Sequence, residues 1–378
     1  MFERRMWRNL DYYFIGGIIA LLAVGLLVLK SASANVMADP NFFVKKQFIW
    51  ILLGLGGMAC VLMVDYDQLK RYQLPLYALN ILMLAAVALV GHEAKGAQRW
   101  IDLKFFLLQP SEFAKTITVI TLACLLDKRQ GGLNRWQDLL VPFLYVAVPL
   151  VLILKQPDLG TALVLLAILF GMLYVGGANL KLLLLIFGGG LLLVGLALFA
   201  HFHFGLPLPL QDYQMRRLVV FLNPYNDGKG GMGEGYHVIQ SQIAIGSGGW
   251  WGVGLYQGSQ VQLNFLPEHH TDFIFSVVGE ELGFVRTVGI IALYFLTLYR
   301  MVRIAGQAKD MFGSLLVSGV ASLFAFHILV NIGMTTGIMP VAGIPLPLFS
   351  YGGSAMLANM LALGLVLNVN LRRQKILF

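Results

Sequence analysis

The sequence predicts an all-α polytopic membrane protein of about ten transmembrane helices with one large extracytoplasmic loop. Three observations carry this. Of 378 residues, 58% are hydrophobic and only 12% charged, whereas a soluble domain is about 25% charged. The mean hydropathy is correspondingly high, at +0.75. Apolar runs of about twenty residues recur along the chain, each long enough to cross a bilayer as a helix. Lys and Arg gather in alternate connections between those runs.

By that length rule the runs fall at about 12–29, 47–64, 74–91, 110–126, 138–154, 159–176, 181–200, 272–299, 312–336 and 347–370. The first follows a basic MFERRMWR and ends near Ala32-Ser33-Ala34, which resembles a signal-peptidase site. It is longer than most signal cores and more spans follow, so an uncleaved first helix is expected. Only Lys155-Gln156-Pro157-Asp158 separates the fifth run from the sixth, which predicts a tight helical hairpin. Pro142, Pro149, Gly343, Pro345 and Pro347 predict kinks or breaks, tolerated where freed backbone faces protein or a water-filled cavity. Cys60 and Cys124 sit in apolar runs and read as small buried apolar residues without a redox role. The whole chain, 1–378, reads as one integral-membrane domain.

An even number of spans puts both termini on one side. That side holds Arg4, Arg5, Arg8, Lys70, Arg71, Lys128, Arg129, Arg135, Lys181, Arg300, Arg303, Lys309, Arg372, Arg373 and Lys375. The other holds fewer, several of them in the long loop 201–271, where charge has little influence on orientation. Both termini are therefore expected in the cytoplasm. The net charge of +8 is this loop bias rather than a nucleic-acid surface, and no nucleic-acid partner is expected. Loop 201–271 carries two Gly-rich stretches, GKGGMGEG and IGSGGWWGVG, read as hinge or close-packing glycines, with a phosphate cradle as the weaker alternative. Within it Tyr236 to Ile245 predicts a short amphipathic helix lying in the membrane surface.

Four constellations could carry chemistry. LPEHHTDF places Glu268, His269, His270 and Asp272 at the outward entrance of a span. With a helix starting near His270, Asp272 falls in its first turn, where it could cap the helix, serve as a general base, or join a metal site with its three neighbours. The contiguous spacing does not match zinc motifs. In LLQPSEFAKTI, Glu112 and Lys115 lie three apart on one helix face inside a span. Intramembrane charges usually face a cavity, the alternative being a structural ion pair. Lys95 and Arg99, in and beside GAQRWIDL, and Arg216 and Arg217, in DYQMRRL, are cations that could contact lipid headgroups or an anionic leaving group such as a diphosphate. Finally, Asn331 to Ala355 is rich in Gly, Pro, Ser and Thr at membrane depth, so its backbone should line a cavity, with Lys155, Gln156 and Asp158 on the same side.

Together GAQRWI, QPSEFAK, QPDLGTA, IGSGG, LPEHHTDFIF, GEELG and GIMPVAGIPLPLFSYGGSA resemble, in order and over nearly the whole chain, the SEDS family (shape, elongation, division and sporulation). PVAGIPLPLFSYGGSA and IGSGGWWGVGLYQGSQVQLNFLPE resemble its rod-shape branch rather than its division branch. The resemblance implies a ten-span peptidoglycan glycosyltransferase of the cytoplasmic (inner) membrane. Its substrates would be lipid II and lipid-linked nascent glycan, joined for cell elongation beside a class B penicillin-binding protein and other elongation-complex membrane proteins. It implies Asp272 as the catalytic carboxylate and Glu112 and Lys115 as the intramembrane pair; His269 occupies a variable position. Arg99, Arg216, Arg217, Glu268 and His270 are then candidates for the substrate cavity. Cations, or a divalent metal (Mg2+ or Mn2+) near Asp272, would stabilise the departing diphosphate. A lipid II flippase and a non-catalytic scaffold are the competing readings.

Overall fold

The computed structural model describes residues 10–37, 39–94, 97–102, 104, 106–207, 212–227, 229–233 and 235–373. Arg4, Arg5, Arg8, Lys95 and Lys375 lie outside them. Ten long helices match the ten expected spans: α1 (Tyr12–Ala32), α2 (Phe42–Met63), α3 (Gln73–Val90), α4 (Pro110–Asp127), α5 (Trp136–Lys155), α6 (Leu159–Val175), α7 (Leu180–Phe204), α10 (Ile274–Gly306), α11 (Met311–Thr336) and α12 (Gly353–Leu371). In the long connection lie two shorter helices, α8 (Asp212–Leu222) and α9 (Tyr236–Ser247), and a four-residue helical turn at Ser259–Gln262. Eight of the ten are long and apolar enough to cross a membrane on those criteria alone. The other two are α6, which is 17 residues long, and α4, which is the most polar of the bundle.

The bundle is built around α11, which packs against α10, α6, α4 and α12, while α12 lies along α2. At the periphery α7 has only Leu183 buried, so its Leu- and Phe-rich surface faces outward on nearly every side. Cys124 is buried as expected, but Cys60 is exposed on α2, an apolar position turned away from the protein. Pro142 and Pro149 sit inside α5 without ending it.

Three features depart from expectation. Residues 92–108 form a small antiparallel sheet, β1 (His92–Ala94), β2 (Ala97–Asp102) and β3 (Leu107–Leu108), in the order β1-β2-β3. The last span starts at Gly353, because 338–352 is non-helical chain. And α10 is broken: Gly283 has φ 73 and ψ 178, a conformation open in practice only to glycine. The break is satisfied by the second Gly-rich stretch. Val253 and Gly254 donate to the carbonyls of Glu280 and Glu281 (both 3.0 Å), and Phe284 donates back to Gly249 (2.9 Å). Those glycines therefore serve close packing. The first Gly-rich stretch is organised by Asp227, whose carboxylate accepts from the amides of Lys229 and Gly231 (both 2.8 Å) and Gly233 (2.7 Å). These bonds, Gly231's first, hold the Asp227 carboxyl down at about 2. Amides already committed to a carboxylate are not a phosphate cradle. Helix α9 forms as expected but is packed against α10 and α11, with Val238, Ser241 and Ala244 buried.

The opposite end of the bundle, where α3 begins and α4 ends, is stitched by charge. Lys70 bridges Asp67 (3.0 Å) and Asp127 (3.1 Å), and Arg300 from α10 meets Asp11 (2.8 Å) at the start of α1.

Candidate active site

At the other end the motifs converge on the 337–352 segment. Helix α4 starts with Pro110, whose fixed φ suits the first helical position. The amide of Gln109 donates to Ser354 Oγ (3.0 Å), which donates in turn to the Leu107 carbonyl (3.1 Å), so α4 and α12 begin side by side. Asp158 caps α6, accepting from the Thr161 amide (3.1 Å) and hydroxyl (2.9 Å), and also from Ser111 Oγ on α4 (3.4 Å). Gly160 lies against the Ala342 carbonyl, where a Cβ would come to 2.6 Å. The QPD hairpin is thus seated directly on the 337–352 segment.

Asp272 lies in a turn that ends at Phe273, the N-cap of α10. The helix begins at Ile274, not near His270, so Asp272 precedes the cap and the capping reading loses its geometry. Glu268 shapes this turn. Its φ is 52, its carbonyl accepts from the amides of Thr271 (3.1 Å) and Phe273 (3.2 Å), and its carboxylate accepts from Thr271 Oγ1 (3.0 Å). Three successive carbonyls are then gripped from across the bundle. His270 O accepts from the Tyr351 amide (3.0 Å), Thr271 O from Ser350 Oγ (2.6 Å), and Asp272 O from Asn331 Nδ2 (2.9 Å). Asn331 spends its other N–H on the Ile344 carbonyl (2.8 Å). The half-buried Asp272 carboxylate faces Gly343, lying 3.6 Å from where a Cβ would sit there. The His270 ring packs on Phe43 at 4.7 Å.

Beneath this, Lys115 donates to Glu112 (2.9 Å) and lies 3.0 Å from His327 Nε2 on α11. The Glu112 and Lys115 side chains are 5% and 2% exposed. The pair is therefore enclosed by protein rather than facing an open cavity, and Lys115 has no direct access to a ligand in this conformation. Removing one partner strands a buried charge, at a cost of about 3–5 kcal/mol. Glu112→Ala or Lys115→Ala should each lower yield, melting temperature and activity. Wild-type melting and activity in both single variants would show that the pair is dispensable.

The other predicted residues fare differently. Arg99, on β2, donates to the Gln156 carbonyl (3.1 Å) and to that of Pro157, and lies 4.0 Å from Asp158. It braces the hairpin rather than projecting freely. Arg216 is exposed and Arg217 half-buried on α8, which makes only sparse contact with the bundle helices. Among the described residues no three His, Cys, Asp or Glu side chains converge, so Glu268, His269, His270 and Asp272 do not make a cluster of three protein ligands. His269 is buried, with Nδ1 turned to the Leu266 carbonyl. Sequence reasoning missed His327, and named Asn331 and Ser350 only as part of the cavity-lining stretch 331–355. The first two carried a signal, being polar residues four apart in the otherwise apolar AFHILVNIG.

The fold and the site define a polytopic helical membrane protein whose sequence motifs converge at one end, around a carboxylate poised before a broken helix. The chain matches the model of the FtsW/RodA/SpoVE family, described as cell cycle proteins, over residues 12–375, and it belongs to that family. It is 39% identical over 361 residues to the probable peptidoglycan glycosyltransferase FtsW of Trichlorobacter lovleyi, covering 93% of this chain and 91% of that protein. It is 38% identical over 367 residues to the peptidoglycan glycosyltransferase MrdB of Escherichia coli K12, covering 97% and 95%. Among solved structures it is similar, with a TM-score of 0.79 and 34% identity over 95% of this chain and 97% of the other, to a chain from work described as structural coordination of polymerization and crosslinking by a peptidoglycan synthase complex.

Proposed function

We propose that the protein is a peptidoglycan glycosyltransferase that polymerises lipid II with Asp272 as general base. The observation that carries this is the grip on His270, Thr271 and Asp272, which fixes a carboxylate beside the side-chain-free Gly343 at a membrane-helix entrance. Asp272 would take the proton of the acceptor sugar's 4-hydroxyl as that oxygen attacks the donor's anomeric carbon. A single displacement forms the β-1,4 bond from an α-linked donor and expels undecaprenyl diphosphate. Arg216 and Arg217, on the loosely packed α8, would meet the diphosphate, whereas Arg99 and Lys115 act through the segments they hold. This proton transfer needs only the carboxylate.

The identities to FtsW and MrdB, 39% and 38%, do not separate division from elongation. The likeness of PVAGIPLPLFSYGGSA and IGSGGWWGVGLYQGSQVQLNFLPE to the rod-shape branch, RodA, favours elongation. A class B penicillin-binding protein is the partner we propose, in keeping with the polymerisation and crosslinking complex to which the fold is similar. Polymerisation of lipid II by the purified protein, alone and with that partner, tests the reading. Lipid II transfer across vesicles without glycan would make the chain a flippase, and neither activity would make it a scaffold.

Charge bias places both termini in the cytoplasm and Asp272 outside. A cysteine replacing Gly230 should then react with a membrane-impermeant thiol reagent in cells whose outer envelope alone is permeabilised. Labelling only after lysis would reverse the orientation.

A further inference from the structure

The geometry points to His327 as a positioning residue that locks the Asp272-facing segment to the Glu112–Lys115 pair, an inference that rests on the polymerase reading. His327 is 2% exposed on α11, and both ring nitrogens are engaged. Nδ1 lies 3.1 Å from the Pro345 carbonyl, which can only accept, so Nδ1 carries the proton. Nε2 lies 3.0 Å from the Lys115 ammonium, which can only donate, so Nε2 is the bare acceptor. The two contacts together fix one neutral tautomer.

Each contact leads to a different functional segment. Lys115 ties the ring to α4 and its buried carboxylate, Glu112. Pro345 lies two residues beyond Gly343, which faces the Asp272 carboxylate. One helical turn along α11, Asn331 grips Ile344 and Asp272 from the same helix. His327 and Asn331 therefore hold two adjacent carbonyls, Pro345 and Ile344, from positions four apart on one face. Leu346 is held by Ser350, whose amide donates to its carbonyl (3.0 Å) and whose Oγ accepts from its amide (2.8 Å). Residues 343–345 lie in non-helical chain, so their placement relative to Asp272 depends on the grips of His327 and Asn331. A histidine that merely fills the core would affect activity only as far as it affects stability. A positioning histidine should affect rate and loop order beyond that, and a side chain reproducing both bonds should restore them.

The experiment compares His327→Leu, His327→Gln and His327→Asn in the purified full-length protein. It reads melting temperature, amide exchange of residues 342–351, and kcat and KM for lipid II polymerisation. Glutamine can accept from Lys115 through its oxygen and donate to the Pro345 carbonyl through its amide; leucine can do neither, and asparagine is too short to span both. The expected result is a kcat about tenfold lower in His327→Leu, the scale of one charge-assisted hydrogen bond, with KM nearly unchanged. Exchange at 342–351 should rise in that variant, and both measures should recover in His327→Gln. Unchanged exchange and rate in His327→Leu would overturn the inference, as would a glutamine variant no better than leucine. Should His327→Leu fail to accumulate, the Gln and Asn pair decides it: equal behaviour overturns the inference, and recovery by Gln alone supports it. A wild-type protein that makes no glycan would refute the polymerase reading instead, while the exchange measurement would still judge the role of His327.

Discussion

Replacing Gly283 by alanine is expected to abolish accumulation of the folded protein. Two costs coincide at this residue. Its φ of 73 and ψ of 178 fall where a side chain is strained by about 1–3 kcal/mol. A Cβ there would also come to 2.0 Å from the Gly252 amide nitrogen and 2.5 Å from the Trp251 carbonyl carbon. Both neighbours are backbone, so neither can swing away. Relief would mean separating the 249–254 segment from the break and losing the hydrogen bonds of Val253, Gly254 and Phe284. Unpaired backbone within a membrane costs several kcal/mol per group. Gly289, six residues on in the same helix, meets nothing within 4 Å. Gly289→Ala should therefore accumulate and melt at or slightly above the wild-type temperature, since alanine favours a helix over glycine by about 1 kcal/mol. Equal yields and melting temperatures for the two variants would refute the account of the break.

The break also shows where sequence reasoning stopped. Ten spans were legible because bilayer thickness imposes one length on every crossing helix, and the chain repeats that length ten times. The break was not legible, because the tertiary pairing of 249–254 with 280–285 sets it, and Gly283 in GEELGFVRT looks like any helical glycine. The small sheet was missed because strands of three, six and two residues carry too little alternation to register. At the site, Asp272, Glu112 and Lys115 stood out as charges in apolar surroundings. Arg99 stood out as a cation near the membrane surface, but only the fold shows its guanidinium spent on the QPD hairpin. Ser350 was legible only as part of the polar 331–355 stretch, not by its partner. It looks like loop chemistry in FSYGG, and it acts through the carbonyl of a residue 79 positions away.

Asp272→Asn should leave a protein that inserts, accumulates and binds the transpeptidase proposed above, yet makes essentially no glycan. The substitution keeps the side chain's size and its acceptor oxygen but removes its ability to take a proton near neutral pH. The contacts that fix this turn are made by main-chain carbonyls, to Tyr351, Ser350 and Asn331, and asparagine leaves all three in place. The helix start is unaffected, because Phe273 rather than residue 272 is the N-cap. The main-chain contacts therefore predict an active variant, whereas a proton-transfer role predicts a dead one. A general base is typically worth about 100- to 10,000-fold in rate, so the glycan ladder of a gel-based lipid II assay should vanish. Asp272→Glu is a useful companion. It restores a base of similar strength on a longer arm, which moves the carboxylate away from the position the gripped turn sets. Its rate should fall between wild type and Asp272→Asn. An Asp272→Asn protein that polymerises lipid II at close to the wild-type rate would remove this carboxylate from the chemistry.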